Sequence, residues 1–335
     1  MNLSASRRGF LATAAGLTLA ACAKPPTPRS LTIYSGRGEN LIGPLLKKAG
    51  DELGLEISVR YGNSAQMALA ILEEGAKTPA SLFLSQESGA LGALARENRL
   101  LGLPQDLLNK VDARFRSPRG VWVGISGRTR VIDYNTTLVK PDELPASIHD
   151  LSGLRWKNQV GWAPANGSFQ AFLTAFRLLE GEDKALAWLQ AMKANGAKTY
   201  PSNAPIVEAL GRGEIQLGLT NNYYLYRFTA ERPDFPVAHH YTRGDAGALM
   251  LVSGGALLDS ARDRQEPALQ VLRYLLASEA QTHFAEATNE YPLVTGIPIP
   301  AGRTPLSELR PPAIDLSQLE DLEGTMNMLT SAGLL

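Results

Sequence analysis

Two adjacent tyrosines, Tyr223 and Tyr224, are the residues whose spacing most clearly points to chemistry. They follow Asn221 and Asn222 after the apolar run 215–219, at a strand-to-helix junction of the kind where α/β proteins place ligands. Neighbouring phenols on a helix cannot both face one apolar layer. Paired phenol oxygens suit a hard, highly charged cation, because a phenol ionises readily once such a cation binds. The alternative is an ordinary aromatic helix start with both hydroxyls in water.

The first 22 residues are typical of an export signal. Arg7 and Arg8 precede the apolar stretch 12–21, a pattern that indicates twin-arginine export. That stretch is too short to span a bilayer permanently. It ends in a lipobox-like pattern at Cys22, so we predict cleavage there and a lipidated N-terminus at Cys22. A buried cysteine in an N-terminal helix would leave the arginine pair unexplained.

Composition excludes several classes of protein. Cys22 is the only cysteine, so an intramolecular disulfide and thiol chemistry in the folded body are excluded. Lysine plus arginine equals aspartate plus glutamate at 33 each, which argues against a nucleic-acid partner. The proline-rich residues 23–30 predict a tether. The remaining chain is long enough for two lobes with separate cores.

Strand-like runs alternate with helical patterns through the body, which predicts an α/β protein with a parallel sheet. One series lies before residue 100 and a second begins near Arg130. The apolar, glycine-rich run 248–257 predicts a strand that returns to the first lobe, and two lobes predict a hinged ligand cleft between them. The predicted N-terminal lobe is 31–130 plus 250–303, and the predicted C-terminal lobe is 131–249 plus 304–335.

Five segments of the chain, taken in order, resemble the ferric-ion-binding proteins that supply bacterial ABC importers. The segments are 31–37, 122–131, 161–169, 221–224 and 290–293. The resemblance covers most of the mature chain. It implies a two-lobed type II periplasmic binding protein, related in fold to transferrin lobes, with Fe(III) in the cleft between the lobes.

The resemblance also implies roles for particular residues. In that family the paired tyrosines bind Fe(III), and this role falls on Tyr223 and Tyr224. The turn before the following helix binds a synergistic anion, carbonate or phosphate, which assigns anion binding to Asn166, Gly167 and Ser168. Physical chemistry supports this assignment, because a glycine turn into a helix offers free backbone N–H groups and a positive dipole end.

Three further residues are expected at the anion. Asn203 and Asn221 fall at positions where the family uses amides for the anion, although an N-cap and a turn residue explain them equally well. Arg37, in the loop after the first strand, is expected to be the charge partner of the anion.

The N-terminal lobe departs from the family pattern. The position of the family's early histidine is Gly38 here, and the position of a relative's acidic ligand is Gln86, followed by Glu87. Two phenolates cannot fill the roughly six coordination positions of Fe(III). Either anions supply most of the rest, or Glu39, Glu87 or Tyr34 closes from the other lobe. We favour anions and interpret Tyr34 as structural.

We therefore expect a monomeric, lipid-anchored, extracytoplasmic receptor that delivers Fe(III) to the permease and ATPase of an ABC importer and catalyses no reaction. One rival is a receptor for another anion or small molecule, such as phosphate, thiamine or a polyamine, which would have no use for adjacent tyrosines. The other rival is an exported oxidoreductase, for which no cysteine or histidine cluster offers a cofactor site.

Overall fold

A computed structural model describes residues 29–335. The predicted export signal 1–22, its lipidation site Cys22 and most of the predicted tether 23–30 lie outside the described residues. The described part begins in a strand at Arg29, slightly before the predicted end of the tether. No helix among residues 29–335 combines the length and apolar character needed to cross a bilayer.

Strands and helices alternate along residues 29–335, which confirms the predicted α/β class. The strands are β1 (Arg29–Ser35), β2 (Leu55–Tyr61), β3 (Leu82–Ser85), β4 (Val123–Asn135), β5 (Val160–Trp162), β6 (Lys198–Thr199), β7 (Leu217–Asn221), β8 (Val237–His240), β9 (Met250–Leu257) and β10 (Tyr291–Pro292). The α-helices are α1 (Glu39–Leu53), α2 (Ser64–Glu74), α3 (Ser88–Arg96), α4 (Gln105–Leu108), α5 (Gly167–Glu180), α6 (Glu182–Ala194), α7 (Asn203–Gly211), α8 (Asn222–Glu231), α9 (Gln265–Leu275), α10 (Ser278–Glu286) and α11 (Leu322–Ser331).

Helix α1 illustrates how the sequence pattern forms these elements. Ile42, Leu45, Leu46 and Ala49 are buried and recur at helical spacing, so they form one apolar face against the core. The helix ends at Gly54, whose φ of 61° and ψ of 43° are left-handed. Glycine adopts that conformation without steric cost.

The strands pair into a mixed sheet in the order β2-β1-β3-β9-β4-β7-β5-β6, with β8 and β10 also paired to β4. Strand β1 is parallel to β2 and β3, and β5 is parallel to β6 and β7. Strand β4 is antiparallel to its partners. Each end of the sheet is therefore a parallel α/β series, and β4 connects the two.

Separate hydrophobic cores define two lobes. The first lobe is built from β1–β3, β9, β10, α1–α3, α9 and α10 around one core. The second lobe is built from β5–β8, α5–α8 and α11 around two adjoining clusters. Strand β4 pairs with β9 as far as Thr129 and with β7 from Arg130 onward, so this strand passes directly from one lobe to the other.

Strand β4 is longer than the sequence indicated. Sequence analysis started a strand near Arg130, whereas the strand begins at Val123 and all of its residues are buried. Gly124, Gly127 and Arg128 interrupt the apolar run, so the sequence pattern does not indicate a strand before Arg130. The strand forms because the neighbouring strands satisfy its backbone on both sides.

The C-terminal segment 304–335 is divided between the lobes, whereas we assigned all of it to the C-terminal lobe. Leu316 and Leu319 pack in the first core, and Met328 and Leu329 of α11 pack in the second. The segment contacts α3 of the first lobe before α11 reaches α5. Pattern analysis of the segment detects apolar residues but not which core receives them.

Gly92 of α3 allows the C-terminal segment to approach closely. A Cβ atom added at Gly92 would lie 1.9 Å from the backbone carbonyl oxygen of Ser317. We expect Gly92→Ala to lower the free energy of unfolding by about 1–3 kcal/mol, because the overpacked contact involves backbone. Urea denaturation followed by circular dichroism measures this change. Gly102→Ala is the control, since a Cβ at Gly102 meets no atom of residues 29–335 within 4 Å, and equal stability of the two variants would contradict the prediction.

Candidate metal and anion site

The tyrosine pair stands at the first turn of α8. Strand β7 ends at Asn221 and α8 begins at Asn222, so Tyr223 and Tyr224 emerge where the sheet edge meets the helix. Their rings are stacked, with centroids 4.3 Å apart and planes 28° from parallel. Both residues are partly buried. The two phenols are therefore presented together at one place.

Burial keeps the Tyr223 phenol protonated in the absence of a cation. Desolvation raises the pKa of Tyr223 above its ordinary value, the neighbouring Arg128 opposes that shift, and Tyr224 adds to it. A buried phenolate needs compensating positive charge. The pair can hold a highly charged cation only by releasing protons to solvent.

Two buried arginines of β4 lie beside the tyrosines. Arg128 and Arg130 are each 1% exposed and, two residues apart on a strand, have side chains on the same face. Arg128 donates to the Gln86 carbonyl oxygen over 3.0 Å, to Ser253 Oγ over 3.3 Å, and to the Glu87 carboxylate. Burial alone would lower the pKa of Arg128, but the neighbouring Glu87 carboxylate and Tyr223 phenol keep it above its ordinary value.

Arg130 has unused hydrogen-bond donors. Its Nη1 donates to Asn221 Oδ1 over 3.1 Å and to Ser168 Oγ over 3.3 Å. Its Nε and Nη2 are buried and find no hydrogen-bond partner among residues 29–335. Burial lowers the pKa of Arg130 to about 10, which leaves the guanidinium charged at neutral pH. A buried cation with two free donors is suited to an anion.

The glycine turn before α5 adds to this polar pocket. Asn166 caps α5: its Oδ1 accepts from Ser168 N over 3.0 Å and from Ser168 Oγ over 2.6 Å. Asn203 Nδ2 donates to Ser168 Oγ over 3.2 Å. A Cβ atom at Gly167 would meet no described atom within 4 Å. The turn therefore leaves space next to Ser168.

Two asparagine side chains of the same pocket are incompletely satisfied. Asn203 and Asn221 are each 1% exposed. Asn203 Oδ1 and Asn221 Nδ2 have no hydrogen-bond partner in the described part of the chain. Buried polar atoms are normally satisfied, so this pocket has the character of a ligand site. The residues predicted at the anion, apart from Arg37, are brought together here.

Arg37 is placed differently from the expectation that it is the charge partner of the anion. Its Nη2 donates to Glu290 Oε2 over 2.7 Å, and its Nη1 donates to Ser126 Oγ over 3.0 Å. Burial disfavours the Glu290 carboxylate, but Arg37 holds the pKa of this group below its usual value. Glu290 therefore neutralises Arg37. The arginine that contacts Ser168 and Asn221 is Arg130 instead.

The three alternative first-lobe ligands occupy different surroundings. Tyr34 is buried, and its hydroxyl donates to Glu74 over 2.9 Å and accepts from Arg60 over 3.1 Å. Glu39 is exposed at the start of α1. Of the three, only Glu87 contacts one of the two arginines beside the tyrosine pair, through its ion pair with Arg128.

Arg128 and Arg130 are the residues that sequence analysis missed. They lie within the resembling segment 122–131, and a signal is present there: two arginines spaced by two within a run of otherwise small and apolar residues. Charged residues are almost never fully buried unless they are paired or functional. Within residues 29–335, no group of three or more His, Cys, Asp or Glu side chains is arranged to hold a metal.

Known proteins resemble this chain over nearly its whole length. The major ferric iron-binding protein of Neisseria meningitidis serogroup A is 30% identical over 326 residues, which are 95% of this chain and 97% of that protein. Iron-bound HitA from Pseudomonas aeruginosa has 31% identity and a TM-score of 0.80, over 92% of this chain and all of HitA. A Trichodesmium protein (IdiA, FutA) solved with iron and citrate has 26% identity and a TM-score of 0.80, over 91% of this chain and 100% of that one.

These similarities confirm the predicted two-lobed fold and the predicted family. Residues 77–306 match the family described as bacterial extracellular solute-binding protein. That match covers more than half of the chain, and the relative from Neisseria extends the similarity on both sides of it. The chain belongs to the bacterial extracellular solute-binding proteins.

Proposed function

We propose that this protein captures Fe(III) in the cleft between its lobes and delivers it to an ABC importer, and that it acts by binding without catalysing a reaction. The observation that carries the proposal is the stacked pair Tyr223 and Tyr224 beside buried Arg130, whose Nε and Nη2 lack partners among the described residues. The names of its relatives, a major ferric iron-binding protein and an iron-bound HitA, support the same ligand.

Fe(III) fits the donors at the start of α8. It is a hard cation that prefers anionic oxygen, and its charge compensates the cost of ionising two partly buried phenols. Tyr223 and Tyr224 are the proposed metal ligands. Glu87 is a first-lobe carboxylate that pairs with Arg128, and it is the proposed additional ligand from that lobe. Tyr34 and Glu39 are not proposed as ligands, because neither forms an ion pair or hydrogen bond with Arg128 or Arg130 in the described part of the chain.

A synergistic anion completes the proposed site. Arg130 Nε and Nη2 and Asn221 Nδ2 are buried donors without described partners, and they are the proposed contacts of a carbonate or phosphate. Asn166 and Asn203 orient Ser168 at the same pocket, and Gly167 leaves room there. A bound anion neutralises Arg130 and offers oxygen ligands to the iron. The citrate in the structure of the Trichodesmium relative supports the general need for an added oxygen ligand.

The proposed location is outside the cytoplasmic membrane, as the name of the family suggests. Export by the twin-arginine route and lipid attachment at Cys22 are proposed from the sequence of residues 1–22. The permease and ATPase of an ABC importer are the proposed partners, and the monomer is the proposed functional unit. Globomycin treatment of cells, which blocks lipoprotein signal cleavage, tests the anchor: uncleaved precursor supports it, and normal processing contradicts it.

Metal analysis tests the proposed ligand. We expect the purified protein, dialysed against ferric citrate with bicarbonate and then desalted, to retain about one iron per chain. A parallel sample with Zn²⁺ in place of iron is expected to lose its metal on desalting, since zinc favours nitrogen and sulfur donors. A protein that retains no iron, or that retains zinc equally well, would contradict the proposal.

Iron affinity is expected to fall as the pH falls. Burial raises the pKa of Tyr223 above its ordinary value, so the free phenol is protonated at neutral pH and must lose its proton when iron binds. Protons therefore compete with iron, and each ligating phenol contributes up to about one released proton. Titration of ferric citrate into weakly buffered protein measures the release. Tyr224→Phe should release about one proton fewer than the wild type, and equal counts would exclude Tyr224 as a phenolate ligand.

A further inference from the structure

A group of side chains from both lobes meets α8, the helix that carries the tyrosine pair, at Tyr226. We call Tyr226, Tyr241, Tyr291 and Arg303 the interlobe cluster. Tyr226 lies on α8 of the second lobe, and Tyr291 pairs with Gly127 of β4 in the first lobe. Tyr241 follows β8 of the second lobe and packs against the first core. None of these residues takes part in the proposed iron site.

Arg303 is fixed by the first lobe. Its Nη1 donates to the Ala285 carbonyl oxygen over 2.6 Å, and its Nη2 donates to Asn289 Oδ1. Ala285 belongs to α10, which packs in the first core. Burial lowers the pKa of Arg303, and the neighbouring phenols of Tyr226, Tyr291 and Tyr241 oppose that shift. The guanidinium is thus anchored in one lobe and directed at aromatic groups.

Tyr226 is the aromatic group that Arg303 meets in the other lobe. The guanidinium carbon lies 4.3 Å from the centroid of the Tyr226 ring, a distance typical of a cation–π contact. The ring also packs edge-on against His239, at 5.1 Å between centroids. His239 Nδ1 lies 2.5 Å from Asp133 Oδ1, and Thr220 Oγ1 donates to Asp133 Oδ2 over 2.6 Å. These contacts fix the ring on the second lobe.

We propose that the Arg303–Tyr226 contact is a latch that holds the cleft closed and slows the release of iron. It rests on the proposed function only for the identity of the cargo. The contact is made in the arrangement described here, with Arg303 anchored on α10 of the first lobe and Tyr226 on α8 of the second. A rotation that opened the cleft by moving α10 away from α8 would break this contact, because the two helices belong to different lobes. The contact therefore favours the closed arrangement.

The latch also acts on the iron ligands themselves. Tyr226 lies three residues after Tyr223, so the two side chains occupy the same side of α8 one turn apart. A contact that fixes Tyr226 relative to the first lobe also fixes the direction in which α8 presents its first turn. Arg303 and Tyr226 are thus positioning residues: they touch neither iron nor anion, and they act through the orientation of the helix.

Release kinetics of the purified iron-loaded protein test the latch. We expect Arg303→Met and Tyr226→Leu each to speed iron transfer to excess chelator by roughly three- to tenfold, the range that a partly desolvated cation–π contact implies. The visible band of the bound iron should stay unchanged. The double variant should release iron no faster than either single variant, because both remove one contact. Tyr226→Phe keeps the ring and should release iron at the wild-type rate.

Arg232→Met is the matched control. Arg232 directly follows α8 and, like Arg303, contacts aromatic rings. Its guanidinium carbon lies 5.1 Å from the ring centroid of Phe228 and 4.4 Å from that of Phe235, but all three residues lie in the second lobe. Its release rate should equal that of the wild type. Equal rates for Arg303→Met and the control, or strictly additive effects in the double variant, would overturn the latch.

A measurement without iron separates the latch from the proposed function. Spin labels at Glu73→Cys on α2 and Lys184→Cys on α6, with Cys22→Ser, report the distance between the lobes in metal-free protein. Arg303→Met should shift the distance distribution towards longer values than in the wild type. An unchanged distribution overturns the latch whatever the cargo is. If the wild type binds no iron but Arg303→Met still shifts the distribution, only the proposed function is overturned.

Discussion

Replacement of both phenols, in Tyr223→Phe with Tyr224→Phe, is expected to weaken Fe(III) binding by roughly a thousandfold or more. The rings and their stacking remain, so the fold should be retained, but both anionic oxygen donors are lost and metal affinity depends directly on such donors. Competition with a chelator of known affinity measures the dissociation constant, and circular dichroism monitors the fold.

Tyr200→Phe is the control for this double variant. Tyr200 lies at the edge of a second-lobe cluster, and burial raises the pKa of its phenol as it does for Tyr223. It lies outside the proposed site, so its removal should leave iron affinity at the wild-type value. A double variant that binds iron as tightly as this control would show that other residues hold the metal.

Arg130→Met is expected to produce the second largest effect, a loss of about 10- to 100-fold in iron affinity in the presence of carbonate or phosphate. Charge-assisted hydrogen bonds to a buried anion carry a contribution of this size. The loss should become smaller when both anions are stripped from the solution, because the wild type then lacks the partner that Arg130 binds. Isothermal titration with and without each anion measures the difference.

Arg130→Lys sharpens the test of the anion site. Lysine keeps the positive charge but lacks the planar fork of donors, so we expect an affinity between those of Arg130→Met and the wild type. Arg37→Met is expected to lower stability rather than anion dependence, because Arg37 is paired with buried Glu290. If iron affinity no longer depended on the anion in Arg37→Met but still did so in Arg130→Met, the anion contact would be assigned to Arg37 instead of Arg130.

Local features of the site are readable from the sequence. The tyrosine pair stands at a strand-to-helix junction, as predicted, because the apolar strand and the polar helix start are both short-range patterns. The same holds for the turn at Asn166, where an asparagine two residues before a serine forms an ordinary helix cap.

The charge partners of the site could not be read in this way. Arg37 and Glu290 are 253 residues apart, and only the assembled sheet brings them together. Arg37 is paired with Glu290, while Arg130, inside an interrupted strand, contacts Ser168 and Asn221. A sequence shows that arginines are present, but which of them are neutralised depends on contacts between distant elements. The division of residues 304–335 between two cores has the same origin.

Visible absorbance during titration of ferric citrate into the iron-free protein, with bicarbonate present, tests most directly whether Tyr223 and Tyr224 bind Fe(III). Charge transfer from phenolate to iron colours the protein only when a tyrosine is a ligand. We predict a red to orange band that saturates near one iron per chain and is absent from the double phenylalanine variant. Iron binding without any such band, or a band of full intensity in the double variant, would contradict the assignment.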